Sequence, residues 1–127
     1  MSNAPYLTNG MRWGSRMNDV VMKDAMVLDG LWCPENDVHM AVIGGSVAGE
    51  YGVTREMQDE WSYRSQKLWA EGEAKGAFDE ERFPVEVVGR KGKVTVVDKD
   101  EAPRPGTTME GLAKLPVLFT KDGTLTA

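Results

Sequence analysis

The chain has 127 residues, 41% apolar and 28% charged, a balance that fits one globular domain and excludes a wholly disordered chain. Its net charge of −5 and pI near 4.9 exclude a general phosphate-backbone binder, which needs a basic face, but leave room for a local cationic pocket. A single cysteine, Cys33, excludes an internal disulfide and fits a reducing cytoplasm, and no apolar run approaches the ~18 residues of a membrane span.

Residues 1–18 are rich in Gly and Asn, and Tyr6, Leu7, Met11, Trp13 and Met17 follow no helical period. This predicts an extended or hairpin-like arm whose apolar groups need a partner surface. "DVVMKDAMVLDG" (19–30) predicts a first helix, capped by Asn18 or Asp19, with Val21, Met22, Ala25 and Met26 in a stripe and Gly30 just past its end. "GGSVAGEYG" (44–52) predicts a short helix weakened by glycine and ending at Gly52. The strongest helix starts after Thr54, with Met57, Trp61, Ser65 and Leu68 on one face and Trp69 beside it, frays near Gly72 and stops by Gly76.

In "PVEVVGRKGKVTVVD" (84–98) the period changes. Val85 and Val87 alternate with Glu86, and Val94 and Val96 with Thr95, which predicts a β-hairpin with a basic "GRKG" tip. "KDEAPRPGTT" reads as a loop, because each proline biases its predecessor away from helix. "MEGLAKL" reads as one or two helical turns, and "GTLTA" as the start of a strand. The fold class is therefore α+β: a small irregular domain with three or four helices, one β-hairpin and long loops.

No complete catalytic apparatus emerges. Cys33 and the only histidine, His39, are the sole Cys–His pair, and "CPENDVH" matches no nucleophile motif. One Cys and one His are too few for a zinc site. The Asp79–Glu80–Glu81 and Asp98–Asp100–Glu101 clusters read as solvated charge, and "GRKGK" as a solvated hairpin tip that a phosphate would also suit.

The stretches "MSNAPYL", "KDAMVLDGLWC", "NDVHM", "VAGEYGVTREMQDEWSYRSQ", "FPVEVVGRKGKVTVVDKDEAPRPGTT" and "KDGTLTA", in this order, resemble thiolases, the acetyl-CoA acetyltransferase family, over essentially the whole chain. The resemblance implies the loop domain inserted in the family's N-terminal half. It implies a single domain, 1–127, with residues 1–18 as an extended association arm. The family's acyl-accepting Cys lies before this region and its catalytic His and second Cys after it. No catalytic residue is then expected among these residues, nor a metal, and Cys33 is not the nucleophile. Coenzyme A or acyl-CoA is the implied ligand, held without a covalent bond. His39 would line the pantetheine end of its pocket, Met40 would limit acyl size, Leu31 and Phe119 would line the same slot, and Arg104 would pack on the adenine.

The His-Met pair resembles the acetoacetyl-CoA branch of the family. A homo-oligomer formed through residues 6–17 is the implied assembly, in the cytoplasm, with neither nucleic acid nor membrane as partner. Three positions depart from the family pattern: Gly111 replaces a frequent Ser, Pro116 an expected Arg, and Ala41 a Gly. A free-standing, self-associating module without enzymatic function is the second reading. An independent enzyme built on Cys33 and His39 is the third.

Overall fold

The computed structural model of the chain describes Met1 and residues 3–126; Ser2 of the arm and Ala127 of the expected C-terminal strand lie outside the described residues. The chain divides into two compact units, Met1–Thr54 with Pro116–Ala127, and Arg55–Leu115. The architecture is α+β, as the sequence predicts.

In the first unit the arm is extended only at Tyr6–Leu7 (β1), which pairs antiparallel with Lys23–Asp24 (β2), Tyr6 opposite Asp24. A 3₁₀ turn, Met11–Trp13, sits between Gly10 and Gly14, both at positive φ. The helix expected over 19–30 does not form as such. Asn18 is left-handed at φ 78° and caps nothing, and the strand of β2 takes Lys23 and Asp24. The local cap lies further on: the Asp24 carboxylate accepts the Met26 N–H at 2.9 Å. A π-helix, Met26–Leu31, follows, and Gly30 lies inside it.

Trp32–Cys33 (β3) and Val38–His39 (β4) form a second antiparallel pair, closed by a turn with Asp37 at φ 52° and the Trp32 indole N–H on Asp37 Oδ1 at 3.0 Å. The segment "PENDVH" thus closes a tight hairpin. Helix α1, Met40–Glu50, begins four residues before the expected start at Gly44 because His39 caps it. It ends on a Gly at positive φ. Val53 N–H reaches Ala48 C=O at 2.8 Å and Gly52 N–H reaches Gly49 C=O at 3.3 Å, the paired bonds of a Schellman motif. Residues 123–126 form no strand, although Leu118 N–H bonds Leu125 C=O at 2.9 Å.

The second unit opens with helix α2, Arg55–Ala74, which stops on the same motif: Gly76 at φ 68°, with Ala77 N–H on Gly72 C=O and Gly76 N–H on Glu73 C=O, both at 3.0 Å. The face of α2 that packs is polar. Asp59 is 6% exposed, while Met57, Trp61 and Leu68 of the expected apolar face are exposed, Trp61 to 68%. Arg55 Nε donates to both Asp59 oxygens at 2.9 Å, and its Nη2 donates to the Leu112 and Leu115 carbonyls at 2.5 and 3.2 Å. Those carbonyls belong to the last turn and exit of helix α3, Met109–Ala113, capped at its start by Thr108 Oγ1. Between the two helices runs the predicted hairpin, Val85–Val88 (β5) with Val94–Val97 (β6), Val85 opposite Val97, its tip at Lys91 and Gly92 left-handed.

Beyond α2, Arg82 forks onto the Glu73 carboxylate and lies over the Phe78 ring. Its hydrogen bond holds the Glu73 carboxyl below the usual range, so the stability it contributes is present at neutral pH and is lost as pH falls through that lowered value.

Neither unit closes a core. Among the described residues only Ala25, 8% exposed, and Asp59 are buried. The accessible surface is 10946 Å² for 14.0 kDa, against roughly 6,700 Å² for a compact monomer and roughly 8,100 Å² for two separate half-sized globules. No helix among the described residues is long and apolar enough to cross a membrane.

Asp59→Ala strands a half-buried guanidinium. It is expected to lower the stability of the second unit by about 2–3 kcal/mol, read from urea denaturation followed by the fluorescence of Trp61 and Trp69. An unchanged midpoint would show that water replaces the carboxylate without loss.

Candidate functional site

His39 lies where β4 turns into α1. Its Nδ1 accepts the Ala41 N–H at 3.1 Å, satisfying one of the donors a helix start leaves free. An accepting Nδ1 puts the neutral ring's proton on Nε2 and leaves that nitrogen as a donor. The ring stacks on Phe119, centroids 4.7 Å apart and planes 25° apart. Phe119 itself is held at φ 67°, with Thr120 N–H closing a tight turn onto Leu118 C=O at 2.8 Å. A left-handed aromatic residue is an outlier, and such strain concentrates at functional positions.

Leu31 ends the π-helix, half-buried, and its neighbour Trp32 is the register partner of His39. Met40, the first residue of α1, is exposed. The structure thus stacks His39 on Phe119 and places Met40 and Leu31 on the elements that flank His39.

The same register separates His39 from Cys33. Directly opposed residues share a face of an antiparallel pair and successive ones alternate. His39 is opposite Trp32 and Cys33 is opposite Val38, so the two side chains leave opposite faces. With Nδ1 also engaged in the cap, the Cys33–His39 enzyme has no geometry to work with. Cys33 instead accepts a hydrogen bond from the Asn36 amide at 3.4 Å, and this amide, with the Asn36 backbone, pulls the thiol below its ordinary value.

Arg104 belongs to the second unit and is exposed, between Pro103 and Pro105. Its N–H donates to Gln66 Oε1 at 2.7 Å. Its carbonyl accepts from Thr107 N–H at 3.0 Å and Thr107 Oγ1 at 2.7 Å. The backbone is fixed on both sides, and the side chain is exposed. Gln66 carried no sequence signal, because its partner lies 38 residues away. At Gly111, where the family pattern has Ser, a Cβ would meet Thr108 Oγ1 at 3.2 Å and crowd the α3 cap.

The family described as "Thiolase, N-terminal domain" matches residues 1–127. The chain belongs to the thiolase family. Its relatives include an acetyl-CoA acetyltransferase of Pseudomonas aeruginosa, 45% identical over 127 residues, and the chain spans only 32% of that thiolase's length. The solved acetyl-CoA acetyltransferase of Syntrophomonas wolfei is 40% identical with a TM-score of 0.89, covering 98% of this chain and 31% of its own. The human mitochondrial 3-ketoacyl-CoA thiolase in complex with CoA is 33% identical with a TM-score of 0.86, covering 98% and 30%.

His39→Ala removes both cap and stack and is expected to lower stability by about 2 kcal/mol. His39→Asn keeps a capping acceptor and should recover about 1 kcal/mol of it. Chemical denaturation of the two variants checks this; equal losses would mean that Nδ1 does not cap α1.

Proposed function

We propose that these residues are the coenzyme A-binding and oligomerisation part of a thiolase-type acetyl-CoA C-acetyltransferase, a loop domain with residues 1–18 as its association arm. The parent reaction is the Claisen condensation of short-chain acyl-CoA, or its reverse, thiolysis, in the cytoplasm. The observation that carries the reading is the likeness, over 98% of this chain, to a thiolase solved with CoA. The local chemistry supports it. Coenzyme A needs apolar lining for a long neutral arm and cations near its nucleotide. Leu31 and Phe119 supply the first, and the Nε2–H of His39 is a donor suited to a pantetheine amide carbonyl. Met40, exposed at the start of α1, limits the acyl group, and the planar Arg104 guanidinium stacks on adenine.

Coenzyme A titrated into the chain and followed by NMR is expected to bind near millimolar, about 4 kcal/mol, with shifts in segments 31–40 and 104–119. Arg104→Ala should weaken it about five-fold, the worth of an exposed cation–π stack. Shifts at Arg90–Lys93 alone would move the phosphate site to the hairpin tip, and no shift at tens of millimolar would remove the ligand role.

One observation favours the second reading, a self-associating module without enzymatic function: the excess exposed surface, concentrated in side chains such as Trp13, 92% exposed. On either reading the arm joins copies of the chain, in a symmetric arrangement as most homo-oligomers are. Sedimentation at micromolar concentration should show more than monomer, and Trp13→Asp should shift it toward monomer. A wild-type chain monomeric at high concentration would overturn the arm's role.

A further inference from the structure

We propose that Gln66 is the positioning residue for Arg104, and through it for the nucleotide end of coenzyme A; the proposal rests on the ligand reading above. The argument starts from the covalent chemistry of "PRP". Proline has no N–H, so across Pro103–Arg104–Pro105 the backbone owns one donor, the Arg104 N–H. That donor is spent on Gln66 Oε1 at 2.7 Å. No other backbone N–H of the tripeptide can tie it to α2. The two prolines fix φ on either side, and Pro105 holds Arg104 itself in extended conformations. The tripeptide is therefore stiff, and a stiff piece held at one point on the helix is aimed by that point. Thr107 closes the other side by bonding the Arg104 carbonyl twice.

The half-buried Gln66 is also part of the wall of an open groove of about 380 Å³, with Tyr63, Lys67, Ala70, Pro105 and Thr107. The amide thus joins the helix to the loop at the groove's rim. Loss of its oxygen frees the tripeptide to swing and scatters the guanidinium over many positions. The cost appears in whatever the guanidinium stacks on, and leaves contacts made elsewhere on the ligand alone.

The test titrates the full chain by NMR with two probes, coenzyme A and D-pantetheine, which lacks the nucleotide. Gln66→Met keeps length and removes the acceptor; Gln66→Glu keeps an acceptor. Gln66→Met is expected to weaken coenzyme A about five-fold, the worth of one net hydrogen bond, and to leave D-pantetheine unchanged. Gln66→Glu should restore the affinity, and Gln66→Met added to Arg104→Ala should cost nothing further. If Arg104→Ala weakens coenzyme A and Gln66→Met does not, the positioning role is overturned and the ligand reading stands. Equal loss for both probes would make Gln66 merely structural and also overturn it. If wild type binds no coenzyme A, or Arg104→Ala changes nothing, the ligand reading fails and the proposal with it.

Discussion

One guanidinium holds the second unit closed. Arg55 is its first residue and Leu115 its last, and Arg55 bonds the Leu115 carbonyl, the Leu112 carbonyl and the Asp59 carboxylate together. The carbonyls are acceptors that the end of α3 leaves without helical partners, and a cation there meets the negative end of the short helix. Asp59 keeps that cation neutralised where water is scarce. The segment between the two ends, from α2 through the hairpin to the "PRP" loop, is closed at its ends by this side chain and tied within by Gln66 on Arg104 and Arg82 on Glu73. Closing a long segment costs little more than closing a short one, so a tie between its ends is not penalised heavily for the length it spans.

The sequence read best where local chemistry decides. Gly52 and Gly76 ended helices because only glycine takes the left-handed position cheaply there. The hairpin followed from alternation and a break in period, and the start of α2 from the Thr54 that precedes it. The shortest paired elements were invisible. A strand of two residues, such as Tyr6–Leu7 or Trp32–Cys33, has no period to detect. α1 started early because a histidine nitrogen did the work of a Ser or Asp cap. The face of α2 was misjudged for a physical reason as well: its apolar stripe is exposed and a salt-bridged carboxylate takes the inside. At the site, the residues themselves came from family resemblance. The stack of His39 on Phe119 and the bond from Arg104 to Gln66 join segments far apart in sequence, and no short pattern announces either.

The surface tells the same story as the comparisons. A chain that spans about a third of its relatives, with almost no buried apolar side chain, has its apolar faces turned outward: the arm, the Met57–Trp61–Leu68 side of α2 and both faces of the β5–β6 ribbon. Such faces are ordinary for a part whose core is completed by other protein surface. They also explain why polar clamps matter so much here. Few side chains here are buried, so the partly shielded Arg55–Asp59 and Arg82–Glu73 pairs stand out among the specific contacts of the second unit.

The backbone at Phe119 is left-handed, φ 67°. Forcing an L-residue there costs about 1–2 kcal/mol, and stacking two rings returns about 0.5–1.5 kcal/mol. The two quantities nearly cancel, so the contact with the His39 ring offsets most of the cost of the bent backbone. Without the imidazole against it, the Leu118–Thr120 turn loses the contact that offsets its strain. The position of the Phe119 ring is thereby set by a balance between a bent backbone and an aromatic contact, a softer determinant than close packing.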